Sequence, residues 1–175
     1  GGAPANFASH AVRLGAKSYL LSAIGKDPLG QKAISQFQRL GLDTSGIQVK
    51  KNYATGCVFV ILDHMGNPTY NILENVAWDN IEFDPYQKKI TQGLDAICFG
   101  TLAQRNPISK KSILKTLNST NKNCLKLFDV NFRQDFYNPE IVEQSFDLAN
   151  AVKMNEHEFS AITKMLSMSK NHKKG

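Results

Sequence analysis

The chain has 175 residues, 42% of them hydrophobic and 9% aromatic, enough for one globular α/β domain or most of one. Its net charge of +6 does not make it a nucleic-acid binder, because the lysines are scattered and no aromatic residues interleave with them as a base-stacking platform requires. No apolar run approaches a membrane span, and the three cysteines (Cys57, Cys98 and Cys124) lie in apolar runs without a Cys-x-x-Cys spacing, a pattern that suits reduced thiols and a cytoplasmic home.

The first stretch, Gly1-Gly2-Ala3-Pro4-Ala5-Asn6-Phe7-Ala8, reads as a turn feeding a helix. Two glycines let a backbone approach a ligand closely, and Pro4 is pre-set for a first helical turn. Asn6 places an amide one turn in, and Phe7, Ala8, Ala11, Val12 and Leu14 supply an apolar face that Gly15 terminates. A corner of this kind is suited to gripping hydroxyls, and a plain strand–turn–helix connection is the alternative. Residues 18–24 form a short apolar run ending at Gly25, as in a strand buried on both faces. Asp27 is then an N-cap with Pro28 at N1, starting a helix with Ala33, Ile34, Phe37 and Leu40 on one side and Gly41 closing it.

Residues 47–51, 55–62 and 69–73 read as three strands without an intervening helix, the last two joined by an Asp63–Pro68 turn. A small antiparallel flap accounts for them, and a structural meander is the plain alternative. From Asp84 onward strands and helices alternate: helices over 85–92, 107–117, 139–148 and 156–166, and strands over 96–100, 125–130 and 151–154. This rhythm predicts a parallel sheet with helices on both faces and ligands beyond the carboxyl ends of its strands.

Three candidate site segments leave those ends. In Asp129-Val130-Asn131-Phe132-Arg133 the alternation puts Asp129, Asn131 and Arg133 on one side. Arg133 offers a planar fork for phosphate or carboxylate, or a salt bridge to Asp129 or Asp135. In the segment following Gly100, Gln104 or Arg105 could reach a ligand, or Arg105 could simply be exposed. At Asn155-Glu156-His157-Glu158, Asn155 is an N-cap and Glu158 either completes a capping box or turns outward to hold Mg²⁺ through water. The four histidines lack metal-ligand spacing, and no Gly-x-Ser-x-Gly, Walker A or Gly-x-Gly-x-x-Gly occurs.

The full pattern (Gly1-Gly2, Pro4, Asn6, Ala8, Gly15, then Gly25-x-Asp27-x-x-Gly30 and Leu40-Gly41-Leu42-Asp43) resembles the PfkB (ribokinase-like) family of carbohydrate kinases over nearly the whole chain. Asp129-x-Asn131-x-Arg133 and the loop Gly100-Thr101-Leu102-Ala103 look like the fructokinase and 2-keto-3-deoxygluconate kinase branches, and Asn155-x-x-Glu158 resembles the family's Asn-x-x-Glu. The resemblance implies an α/β fold, a ribokinase-like three-layer sandwich with a central, mostly parallel sheet and a small β-strand lid. The core would occupy residues 1–44 and 80–175, and the lid residues 45–79. It implies ATP and Mg²⁺ as cofactors, with a monovalent cation such as K⁺, and fructose as the sugar phosphorylated; 2-keto-3-deoxygluconate or another sugar or nucleoside is the alternative. Gly2, Asn6, Gln104, Asn131 and Arg133 would contact substrate, Arg133 also stabilising the transferred phosphate. Asn155 and Glu158 would serve nucleotide and Mg²⁺. The partners are then small molecules, with no nucleic acid or membrane, and a homodimer through the lid. The family's Gly-Ala-Gly-Asp motif, which carries the general base, does not occur in the sequence. The chain alone is therefore expected to be inactive, and a non-catalytic sugar-binding fragment is the other reading.

Overall fold

A computed structural model describes residues 2–172, with side chains described through residue 167. The chain divides into two compact units, Ala8–Ile81 and a second that joins Gly1–Phe7 to Glu82–Gly175. These boundaries are drawn differently from a core of 1–44 and 80–175 with a lid of 45–79.

The first helix, α1 (Ala3–Arg13), follows Gly2, whose φ of 91° is accessible to glycine at little cost. In the 8–81 unit, strand β1 (Ser22–Gly25) precedes α2 (Pro28–Arg39), with Asp27 as the N-cap and Pro28 in the first turn. The apolar run of 18–24 does not form one strand. It touches Asp43 through an isolated parallel bridge at Tyr19, and the ladder proper starts at Ser22.

Strand β2 (Ile47–Lys50) pairs in parallel with β1, Ser22 opposite Ile47 and Gly25 opposite Lys50. This corrects the three-strand flap. With α2 as the crossover, residues 47–50 belong to a β–α–β unit, and chain adjacency to the flap is not pairing with it. The flap is a two-strand hairpin, β3 (Val58–Leu62) and β4 (Pro68–Ile72), antiparallel with Val58 opposite Ile72. All of β3 is exposed, and only Ile72 of β4 is buried. Under the hairpin's root, Ala77 and Ile81 pack with Ala23 and Trp78.

In the other unit, α3 (Pro85–Gln92), β5 (Ala96–Gly100), α4 (Pro107–Ser119), β6 (Leu125–Asp129), α5 (Pro139–Leu148), β7 (Ala151–Lys153) and α6 (Glu156–His172) follow one another. The three strands make a parallel sheet in the order β5-β6-β7. Helices α3, α4 and α5 start with an Asx residue bonded to a backbone N–H of the first turn and a proline behind it: Asp84, Asn106 and Asn138. The core is Phe99, Leu117, Phe128, Val130, Val142 and Ile162, with Phe99 stacked on Phe128 at 5.4 Å.

Candidate functional site

The register aligns the carboxyl ends of the sheet: Gly100 lies opposite Asp129, and Asp129 opposite Lys153. The three candidate segments therefore leave one edge side by side, and side-chain and backbone hydrogen bonds tie them together. The Thr101 hydroxyl donates to the Val130 carbonyl at 3.0 Å, and the Val130 N–H donates to the Lys153 carbonyl at 3.0 Å. One Glu158 oxygen accepts from the Asn155 N–H at 2.9 Å, the other from the Phe132 N–H at 3.1 Å. The Asn155 side-chain oxygen accepts from the Glu158 N–H at 2.8 Å. Asn155 and Glu158 thus form a reciprocal capping box at the start of α6, extended by a third bond to the β6 loop. Glu158 is buried, 7% exposed, so its carboxylate joins two loops rather than facing solvent.

Strand alternation stops at Asp129, because Asn131 sits at φ 39° and Gln134 at φ 47°. Asparagine tolerates the left-handed region better than most residues, and the bend turns the chain out of the sheet. Val130 and Phe132 still face the core, and Phe132 stacks on Tyr137 with ring centres 3.8 Å apart. Arg133 projects outward. One of its Nη atoms donates to the Phe132 carbonyl at 2.8 Å, and it forms no ion pair among the described residues. The rest of the fork is left toward solvent. Asp129 instead pairs with Lys153 at 3.0 Å, a mostly buried carboxylate against an exposed ammonium. Strand register creates this pair, which is why neither residue's local sequence announces it.

In the β5 loop Gln104 is held within the fold rather than exposed. Its side chain is 2% exposed, and its NH₂ donates to the Gly100 carbonyl at 2.9 Å and the Ser145 hydroxyl at 3.0 Å. The amide nitrogen docks the loop on α5, while the Oε1 atom is buried without a hydrogen-bond partner. Arg105 is half-buried, with its guanidinium 4.5 Å from the centre of the Phe136 ring, so it braces the β5 loop against the β6 loop.

Gly2 and Asn6 are exposed at the start of α1, where the Asn6 N–H donates to the Gly2 carbonyl at 3.0 Å. They fall in the same compact unit as the strand ends. Cys98, within β5, is no nucleophile at neutral pH: burial and then the Asp129 charge push its thiol up to about 11. All three cysteines are free. Among the described residues no three His, Cys, Asp or Glu side chains converge on a metal position, and no helix is long and apolar enough to cross a membrane.

A parallel α/β unit with a braced polar edge at its carboxyl ends is a frame on which many ligand-binding sites are built, and the chain belongs to the pfkB family of carbohydrate kinases, whose family profile matches residues 1–174. An uncharacterized sugar kinase of Pyrococcus horikoshii, PH1459, is 34% identical over 165 residues, which is 90% of this chain and 53% of that protein. Its crystal structure in complex with ATP superposes with a TM-score of 0.85, at 31% identity over 94% of this chain and 56% of that one. A fructokinase of Salmonella typhimurium is 27% identical (93% of this chain, 55% of that protein). A 5-dehydro-2-deoxygluconokinase of Clostridium beijerinckii is 26% identical (98% and 53%). The fold class is thus ribokinase-like α/β, and the chain spans about half the length of the curated relatives it matches.

Proposed function

We propose that this chain is the sugar-side part of an ATP-dependent kinase that phosphorylates a sugar hydroxyl, with fructose as the substrate. The observation that carries the reading is the bonded edge formed by the Asn131–Arg133 loop and the Asn155–Glu158 capping box. It holds an exposed guanidinium fork and the N-terminus of a 17-residue helix on one side of a parallel sheet. Gly2 and Asn6 would bind sugar hydroxyls, helped by Asn131. Arg133 would hold the transferred phosphate. Asn155 fits a nucleotide phosphate: its oxygen is spent on the cap, which leaves its NH₂ to donate outward. Glu158 fits Mg²⁺ only through water, since each of its oxygens already accepts a backbone N–H and the side chain is buried. When bound, the magnesium nucleotide supplies the phosphoryl group and neutralises its charge. The chain's own part is orientation.

The exposed Arg133 fork favours a second reading, in which the substrate is an acidic keto sugar such as 2-keto-3-deoxygluconate and Arg133 pairs with its carboxylate. The apolar hairpin would act as a lid and as the contact that joins two subunits in a homodimer, and the free thiols suit a cytoplasmic setting. The test compares ATP-dependent phosphorylation of fructose and of 2-keto-3-deoxygluconate by the full-length protein that carries this chain. Turnover of fructose with Arg133→Lys lowering kcat supports the main reading. Turnover of the acid alone, with Arg133→Lys raising its KM, supports the second. Fructose binding by the 175-residue chain without turnover by any longer form would make it a binding fragment.

A further inference from the structure

Because β3 is exposed along its whole length, little lies against the strands to fix where the hairpin points. Its direction is set at its root, and the root is bonded to the start of α2. Asp27 accepts the Gly30 N–H at 2.8 Å, as an N-cap should. The same carboxylate also accepts from the Thr55 N–H and the Thr55 hydroxyl, both at 2.8 Å, across 28 residues of sequence. Thr55 Oγ1 in turn accepts the Gly25 N–H at 2.9 Å.

Four hydrogen bonds thus join the end of β1, the first turn of α2 and the residue three before β3. The knot is closed sterically as well. A Cβ at Gly30 would lie 2.5 Å from the Gly25 carbonyl oxygen and 2.8 Å from Thr55 Oγ1, and one at Gly25 would lie 2.6 Å from the Thr55 nitrogen. Both glycines are therefore there for close approach. Beyond the knot the two legs are tied to each other, Ala77 N–H to the Ala54 carbonyl at 2.8 Å and Leu73 N–H to the Cys57 carbonyl at 3.1 Å, so fixing Thr55 fixes the pair.

We propose that Asp27 is a positioning residue whose carboxylate, acting through Thr55, sets the direction in which the β3–β4 hairpin leaves the 8–81 unit. A capping aspartate needs only the Gly30 bond. The two bonds to Thr55 are surplus to the cap and are explained by the hairpin. The bearing of this clamp on phosphoryl transfer rests on the lid reading above; the attachment itself does not, and the test reads the hairpin without any substrate.

The measurement is the set of backbone N–H residual dipolar couplings of the 175-residue chain in a weakly aligned medium. In the native protein, residues 58–72 should fit the same alignment tensor as β1, β2 and α2. In Thr55→Val, which removes the hydroxyl but keeps the backbone bond, the hairpin couplings should shrink about twofold while β1 and α2 keep theirs. Thr55→Ser should restore them, and Asp27→Asn should loosen the hairpin further. Should Asp27→Asn unfold the unit, the Thr55→Val and Thr55→Ser pair decides alone. Hairpin couplings that are unchanged in Thr55→Val, or already reduced in the native protein, would overturn the proposal and leave Asp27 an ordinary cap.

Discussion

Replacing Glu158 by alanine removes the acceptor for two backbone N–H groups at once. Asn155 N and Phe132 N, bonded at 2.9 and 3.1 Å, would both be stranded beneath a side chain that is 7% exposed. An unsatisfied buried donor costs about 1–3 kcal/mol, and the capping half of the interaction alone is worth about 1 kcal/mol. Water entering the space left by the side chain would recover part of the loss, so Glu158→Ala should destabilise its unit by about 2–4 kcal/mol. Glu158→Gln keeps one acceptor oxygen and presents an NH₂ to the other N–H, so it should lose about 1–2 kcal/mol. The assay is urea unfolding followed by far-UV circular dichroism at constant m, with hydrogen exchange at Phe132 and Asn155 read alongside. Asn155→Ala should cost about 1 kcal/mol and combine less than additively with Glu158→Ala, because the two side chains cap each other. A Glu158→Ala variant within about 0.5 kcal/mol of the native protein, with Phe132 exchange unchanged, would refute the view that this carboxylate braces the edge.

Other outcomes follow from the same geometry. Gln104→Ala should cost about 1–3 kcal/mol in thermal or urea unfolding by leaving the Gly100 carbonyl and Ser145 hydroxyl unpaired. Asp27 is held below its ordinary carboxyl value of 3.8, first by the Gly30 N–H and then by Thr55. Its contribution is therefore present above 3.8 and lost as pH falls through the lowered folded value. The stability gap between native protein and Asp27→Asn should be constant near neutrality and close only in that acid range, as pH-dependent unfolding would show. Cys98, with its thiol pushed up to about 11, should resist iodoacetamide at pH 8 and react only as pH approaches that value, measured by mass spectrometry of the labelled peptide.

Helix starts were the most legible part of the fold. Asp27-Pro28, Asp84-Pro85, Asn106-Pro107 and Asn138-Pro139 each carry both a capping side chain and a fixed φ, two local signals at adjacent positions, and each begins a helix where expected. Strand partners were not legible. Residues 47–50 look like the strands that follow them, and only tertiary pairing with β1 assigns them to the parallel ladder. At the site, the Asn155–Glu158 cap could be read from its spacing of three. The third bond, to Phe132 N, could not, because it joins residues 26 apart. The burial of Gln104 was hidden for a related reason: a polar residue in a loop beyond a strand end looks available, and nothing local shows that Ser145 will be waiting for its NH₂. The Asp129–Lys153 pair likewise exists only once β6 and β7 are in register.

The order β5-β6-β7 has a consequence for how the protein is made. Each strand pairs with the next one along the chain, and the two crossovers span 24 and 21 residues, so every pairing in this sheet is between sequence neighbours. As the chain emerges from the ribosome, β6 finds β5 already exposed with α4 between them, and β7 then finds β6. Within these three strands each new one meets a partner already made, which limits the time β6 and β7 spend unpaired.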